Sequence, residues 1–219
     1  MLDMQTLIIV SFISLFALVT TTGLLWRFIS DEYGLRYFTL GSSAMLGGLL
    51  LLSLRGIVPD FFSIVLGNTL LISGLGYVFI GIRILMGTDA GPKWWRWVPA
   101  AVMFTGAAYF TYLQPDLSMR IVLFSIQCVF YMFGSAWAIW RYADTKLLLF
   151  DRLSSLFFVA GGVINIVRAT QAPTLELAPN FLLNTHWIIV LPYLHIIAFG
   201  IWLGMFLAVK MSVKLLKEL

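Results

Sequence analysis

Charge is scarce in this chain. Its 219 residues hold 14 Lys and Arg and 10 Asp and Glu, 11% together, where soluble domains carry about 25%. Hydrophobic residues make up 61%. A soluble core cannot hide so much apolar surface, so the surroundings must be a bilayer. Cysteine occurs once, as Cys128 in an apolar run, which excludes an internal disulfide and a thiolate metal cluster. The only histidines, His186 and His195, lie nine apart in one apolar run, so two axial haem ligands on facing helices are excluded. Acids are absent from the middle of every apolar run, against the habit of proton and ion transporters. The last run has no central lysine for a retinal Schiff base; its Lys210 lies at the end. No Ser-His-Asp set, H-E-x-x-H or P-loop is visible. No catalytic residue, metal or cofactor is expected. The net charge of +4 is dispersed between apolar segments rather than gathered in a patch, so nucleic acid is not expected as a partner.

What is present is a series of long apolar runs. Seven reach the roughly 20 residues needed to cross a hydrocarbon core: about 5–28, 35–55, 61–86, 96–113, 118–141, 151–171 and 183–210. Short connections rich in Gly, Pro, Asp and Asn separate them. The runs lack barrel alternation, so helices are expected throughout. The first lacks a basic n-region and is long enough to span, which reads as a membrane helix rather than a cleaved leader. The expected fold is an all-α, seven-transmembrane helix bundle.

Lys/Arg counting orients it. With the N-terminus outside, Arg27, Arg36, Arg83, Lys93, Arg96, Arg141, Lys146, Arg152, Lys210, Lys214 and Lys217 fall inside, and only Arg55, Arg120 and Arg168 fall outside. That is a strong positive-inside bias, with the C-terminus cytoplasmic. Most tryptophans, including Trp94, Trp95, Trp97, Trp137 and Trp140, fall at the inner interface as expected anchors. Small residues at four-residue spacing, Ala44/Gly48, Ser63/Gly67 and Gly200/Gly204/Ala208 among them, suit close helix packing. The last set is the best candidate for packing between protomers.

The outer arginines stand out. Each is able to snorkel or pair with Asp60, Asp116 or Glu176, but three in a basic-poor leaflet suggest a common purpose. Asn165 lies one turn from Arg168, Gln127 two turns from Arg120, and Asn68 about 12 Å into its helix at ~1.5 Å per residue. His186 enters the last run from outside. Intramembrane polar groups of this kind face the bundle interior. Arg55, Asn68, Arg120, Asn165, Arg168 and His186 are the candidate ligand-binding residues. Guanidinium forks suit a carboxylate or phosphate, so a small anionic ligand or lipid is the expected partner.

The chain ends on Phe206-Leu-Ala-Val-Lys-Met-Ser-Val-Lys-Leu-Leu-Lys-Glu-Leu219. Phe206, Val209, Val213 and Leu216 repeat with the 3-4-3 spacing of a coiled-coil seam. Residues 1–211 are expected to form the membrane domain and 212–219 the start of a cytoplasmic helix that continues into an output domain.

Four stretches carry a family resemblance: Trp26-Arg27, Gly34-Leu-Arg-Tyr-Phe38, the hairpin Leu54-Arg-Gly-Ile-Val-Pro-Asp60 with Ser63–Asn68, and Lys214–Leu219. In these the chain resembles the N-terminal seven-helix sensory region of bacterial membrane-bound diguanylate cyclases, whose cytoplasmic output is a GGDEF domain. Similar inputs precede histidine kinases. The resemblance implies a multi-pass inner-membrane receptor for signal transduction. It implies a homodimer through the last helix and following coiled coil, with transmission through Gly200, Gly204, Phe206, Val209, Val213 and Leu216. No GGDEF sequence occurs in these residues, so the chain as given makes no cyclic di-GMP. A small-solute transporter or channel is the competing reading, and a structural anchor that dimerises its output is a third.

Overall fold

The computed structural model describes residues 4–29, 34–92, 94–175 and 187–218. These form an all-α protein. Helix α1 spans Met4–Phe28 and α2 spans Leu35–Ser53. A π-helical turn, Phe61–Leu66, leads into α3, Gly67–Leu85. Helix α4, Trp94–Ala108, ends in a second π turn, Tyr109–Leu113. Then come α5, Leu117–Arg141, α6, Leu148–Gln171, and α7, Trp187–Glu218. Six of these segments are long and apolar enough to cross a membrane; the one built on α4 is not. The last helix runs without interruption through residues 211 and 212, so no structural boundary separates the expected domain from its exit helix.

Local chemistry sets the ends. Gly56 and Gly87 adopt φ +86° and +81°, left-handed values that only glycine reaches without strain. Asp116, extended, accepts the Met119 N–H at 3.0 Å and caps α5. Pro59 has no N–H, and its carbonyl accepts both Phe62 and Ser63 N–H groups at 3.0 and 3.2 Å as the π turn begins.

Helices α1, α2, α3, α5, α6 and α7 close into a ring, each packed on its neighbours, with α7 returning to α1. Helix α4 lies chiefly against α3 and α5. Serines and aromatics lock the joints. Ser14 Oγ donates to the Ile197 carbonyl at 3.1 Å between α1 and α7, and Ser155 Oγ to the Ala136 carbonyl at 2.9 Å between α6 and α5. Trp202 of α7 donates to Ser154 Oγ at 3.2 Å and stacks on Phe150 and Phe157 of α6. The outer faces stay apolar, with Ile9, Ile13, Ile126, Trp137, Leu149, Leu156 and Ile201 all exposed. A helix apolar on both faces belongs in lipid. Trp95 is not a simple interfacial anchor: it packs on Phe79 at 5.4 Å and lies under Arg83 at 4.9 Å.

The tightest joint is α2 on α3. A Cβ at Gly41 would fall 2.7 Å from the Gly74 carbonyl oxygen, and one at Gly48 2.7 Å from that of Gly67. Two glycines seven apart on each antiparallel helix therefore bring the backbones into contact. Of the small pairs expected from the sequence, Gly48 and Gly67 take part; Gly47 meets only Leu70, at 3.9 Å. Substituting Gly41→Ala should destabilise the protein by about 1–3 kcal/mol through overpacking. Gly47→Ala should leave it unchanged or stabilise it by up to ~1 kcal/mol through helix propensity. Thermal unfolding of both variants in one detergent checks the opposite signs.

Candidate ligand-binding cavity

One end of the ring holds a cavity of about 90 Å³, open at its mouth. Arg55, Leu52 and Leu49 line it from α2 and its exit; Ile64, Asn68 and Leu71 from the π turn and α3. Leu117, Arg120, Ile121 and Phe124 come from α5, Arg168 from α6, and Ile189, Pro192, Tyr193 and Ile196 from α7. The three outer arginines thus converge from three helices. The π turn contributes directly: it presents Ile64 itself, and its wider winding sets the phase with which α3 presents Asn68.

Among the described residues, Arg120 and Arg168 are held in place but incompletely compensated. Arg120 Nη1 approaches Thr111 Oγ1 at 3.4 Å, at the end of α4. Arg168 lies over the Phe124 ring at 5.7 Å. The Nε atoms of Arg120 and Arg168 are buried and have no hydrogen-bond partner. Arg55 and Arg120 repel each other, while Asp60 and Asp116 attract from outside the lining. The Asp60 carboxylate also attracts Arg55.

No family model, no curated protein and no solved structure matches this chain. Its site is therefore judged on geometry alone.

Arg55, Asn68, Arg120 and Arg168 come together as cavity lining. Asn68 spends one amide donor on its own helix, on the Ile64 carbonyl at 2.7 Å. Asn165 does not join them. It is buried elsewhere, with its amide donating to the Gly161 carbonyl at 2.9 Å, because its position on α6 turns it toward the helix packing rather than the cavity. Gln127 is buried beside Met103, 3.8 Å from its sulfur. His186 lies outside the described residues. Sequence reasoning missed Phe124 and Tyr193. Phe124 follows Arg120 by one helical turn, a legible signal; Tyr193 follows Pro192 in an apolar run and stands out only once α7 is placed.

The residues expected to transmit a signal are distributed differently from a seam. A Cβ at Gly200 would strike Ser14 of α1, so Gly200 packs inside the chain. Phe206 is fully buried and stacks on Phe150 at 6.0 Å. Val213 lines a recess with Leu85, Tyr142, Leu147 and Lys210 at the opposite end from the cavity. Of the seam drawn through Phe206, Val209, Val213 and Leu216, Phe206 packs on its own bundle and Val213 is half-buried beside the recess. Val209 is half-buried, and Leu216 is exposed. The open face of α7 carries Ile201, Gly204, Met205, Ala208 and Ser212 instead.

A buried ion pair was also missed. Lys210, counted among the basic residues at the inner end of the last run, contacts Asp151 of α6 at 2.6 Å, with both side chains almost wholly buried. Asp151 also accepts the Asp144 N–H at 2.8 Å. The signal was an acid near the start of one run and a base near the end of the next, at the same face of the membrane. Lys210→Met alone strands a buried carboxylate and should cost about 3–5 kcal/mol. The double variant Asp151→Leu/Lys210→Met should recover most of that loss. Thermal unfolding of the single and double variants gives the coupling directly; an additive double variant would show that the pair contributes no coupling.

Proposed function

We propose that this chain is a membrane-embedded sensory receptor that binds an anionic ligand at the Arg55–Arg120–Arg168 cavity and passes the signal along α7 to a cytoplasmic output, a diguanylate cyclase by the resemblance. The observation that carries the reading is the convergence of three guanidiniums from α2, α5 and α6 on one cavity whose fourth wall is α7. A ligand there touches the helix that leads out of the bundle. To act as a switch it must favour one arrangement of α7 over another, since equal affinity for both shifts nothing. The chain supplies input and no chemistry of its own.

In this reading α4 with its π turn, starting beside Arg83 and Phe79 and ending beside Arg120, is the seventh span of an inner-membrane protein. The cavity faces outward, with the N-terminus outside and the C-terminus cytoplasmic. Two copies meet through the open face of α7, where Gly204 has free space for a close approach. The sole cysteine, Cys128, is buried, so single-cysteine variants test both points on a Cys128→Ala background. Ile57→Cys should react with an impermeant maleimide applied outside, and Thr88→Cys only after permeabilisation. Met205→Cys should cross-link between copies under mild oxidation. The reverse labelling pattern would overturn the orientation, and a monomeric Met205→Cys under oxidation the dimer.

For function, Arg55→Gln in the protein expressed from its whole gene should abolish ligand-dependent output, read as cellular cyclic di-GMP, without loss of membrane insertion. A fully responsive Arg55→Gln protein would remove Arg55 from the mechanism. Solute uptake into proteoliposomes containing this chain would speak for transport instead.

A further inference from the structure

We propose that the cavity takes a single-chain acyl carboxylate, with the acidic head on Arg55, Arg120 and Arg168 and the hydrocarbon tail directed into the bundle. This rests on the anion-receptor reading above and names the class of ligand.

Charge comes first. Among the described residues, three guanidiniums line the cavity and no carboxylate does, while Asp60 acts on Arg55 from beyond the lining. Asp60 and Asp116 act on Arg120 only from beyond the lining. Arg120 and Arg168 each keep a buried Nε without an acceptor. A buried cation without a paired anion is costly, so the cavity calls for a negative group. A positive group would meet the repulsion of the three guanidiniums there.

The rest of the lining decides what carries that negative group. Apart from the arginines, only Asn68 and Tyr193 are polar, and Asn68 already gives a donor to its own helix. The hydroxyls of a sugar acid would face Leu49, Leu71, Ile121, Phe124, Ile189 and Ile196 and find no partner.

The two kinds of lining are layered along the helix axes. Arg55 lies just past the end of α2, Arg120 in the first turn of α5 and Arg168 in the last turn of α6. Leu52 and Leu49 lie one and two turns further in on α2, Phe124 one turn further in on α5, and Leu71 and Ile196 further in on α3 and α7. The charges are therefore at the edge of the bundle, beside the apolar Leu117 and Ile189, and the deeper lining is apolar but for Asn68 and Tyr193. That is the order of head and tail in an acyl carboxylate that enters head-last from the aqueous edge or tilts in from the adjacent leaflet.

The test uses the purified chain in phosphatidylcholine nanodiscs, with empty discs subtracted. Radiolabelled octanoate, decanoate and dodecanoate should bind with an affinity, referred to free acid in water, that rises about fourfold per added methylene. Arg168→Gln should weaken decanoate at least tenfold, and Arg168→Lys less, with both variants checked for unchanged thermal unfolding. Should either variant fail to fold, the wild-type series stands by itself. Acetate or succinate binding as tightly as decanoate would overturn the acyl inference and leave the anion reading standing. Decanol competing as well as decanoate would overturn both. A parallel arm in phosphatidylglycerol discs separates the sources. Decanoate binding that persists there supports a free acid. Its loss, with phosphatidylglycerol retained by the protein in native mass spectrometry, would assign the cavity to a two-chain lipid and overturn the proposal.

Discussion

Backbone contact between α2 and α3 is the constraint on which the rest of the bundle depends. Gly41 against Gly74 and Gly48 against Gly67 leave no room for a side chain. Lipid gives no hydrophobic reward for bringing helices together, so close van der Waals approach must supply the attraction. The joint also sets geometry. It fixes the antiparallel register of the two helices, and with it the positions of Arg55 at the exit of one and Asn68 at the start of the other. The Phe61–Leu66 π turn then adjusts the phase of α3 just where the cavity begins. Two strands of the same design, a tight crossing and a wound-out turn, place polar groups that would otherwise face lipid.

Helix α7 connects the two polar ends of the bundle. Near its start it walls the cavity with Ile189, Pro192, Tyr193 and Ile196. In its middle, Trp202 is stacked and hydrogen-bonded against α6. Further on, Lys210 holds Asp151 in a setting with almost no water. A rigid element gripped at both ends has two ways to respond to a ligand: it moves as a body, or the grip at one end yields. The buried pair makes the second costly, because parting it leaves two charges without compensation. Parting α7 from α6 at this end therefore costs more than moving the two helices together.

Much of this was legible in the chain. The helical character, six apolar segments long enough to span and the placing of the three arginines at helix ends followed from run length and turn residues. The helix ends matched because glycine and proline at loop positions act locally. Other features were not legible. Asn165 looked like a partner of Arg168, since one turn separates them, yet it bonds back to Gly161. Helical spacing says which residues share a face, and a face one turn wide still divides between cavity and packing. The 3-4-3 stripe after Phe206 read as a seam between copies because an apolar stripe has the same spacing whether its partner is another chain or its own bundle. Lys210 and Asp151 were both discounted as end-of-span charges, since each is innocuous until the other is placed beside it.

The sequence by itself determined the medium and the architecture. With charge this rare, only a bilayer accommodates the apolar surface, and only helices satisfy the backbone there. It also determined that three arginines lie at one level, because each follows from its distance to a span end. The tertiary structure alone decided that they meet. Convergence depends on which helices are neighbours and how each is rotated about its axis, and those follow from glycine contacts, serine hydrogen bonds and aromatic stacks between residues far apart in the chain. The same rotation turned Phe206 and Lys210 inward and left Gly204 and Met205 open. Depth in the membrane is a one-dimensional property that composition can carry; facing is a property of pairs of helices, and no single run of residues contains it.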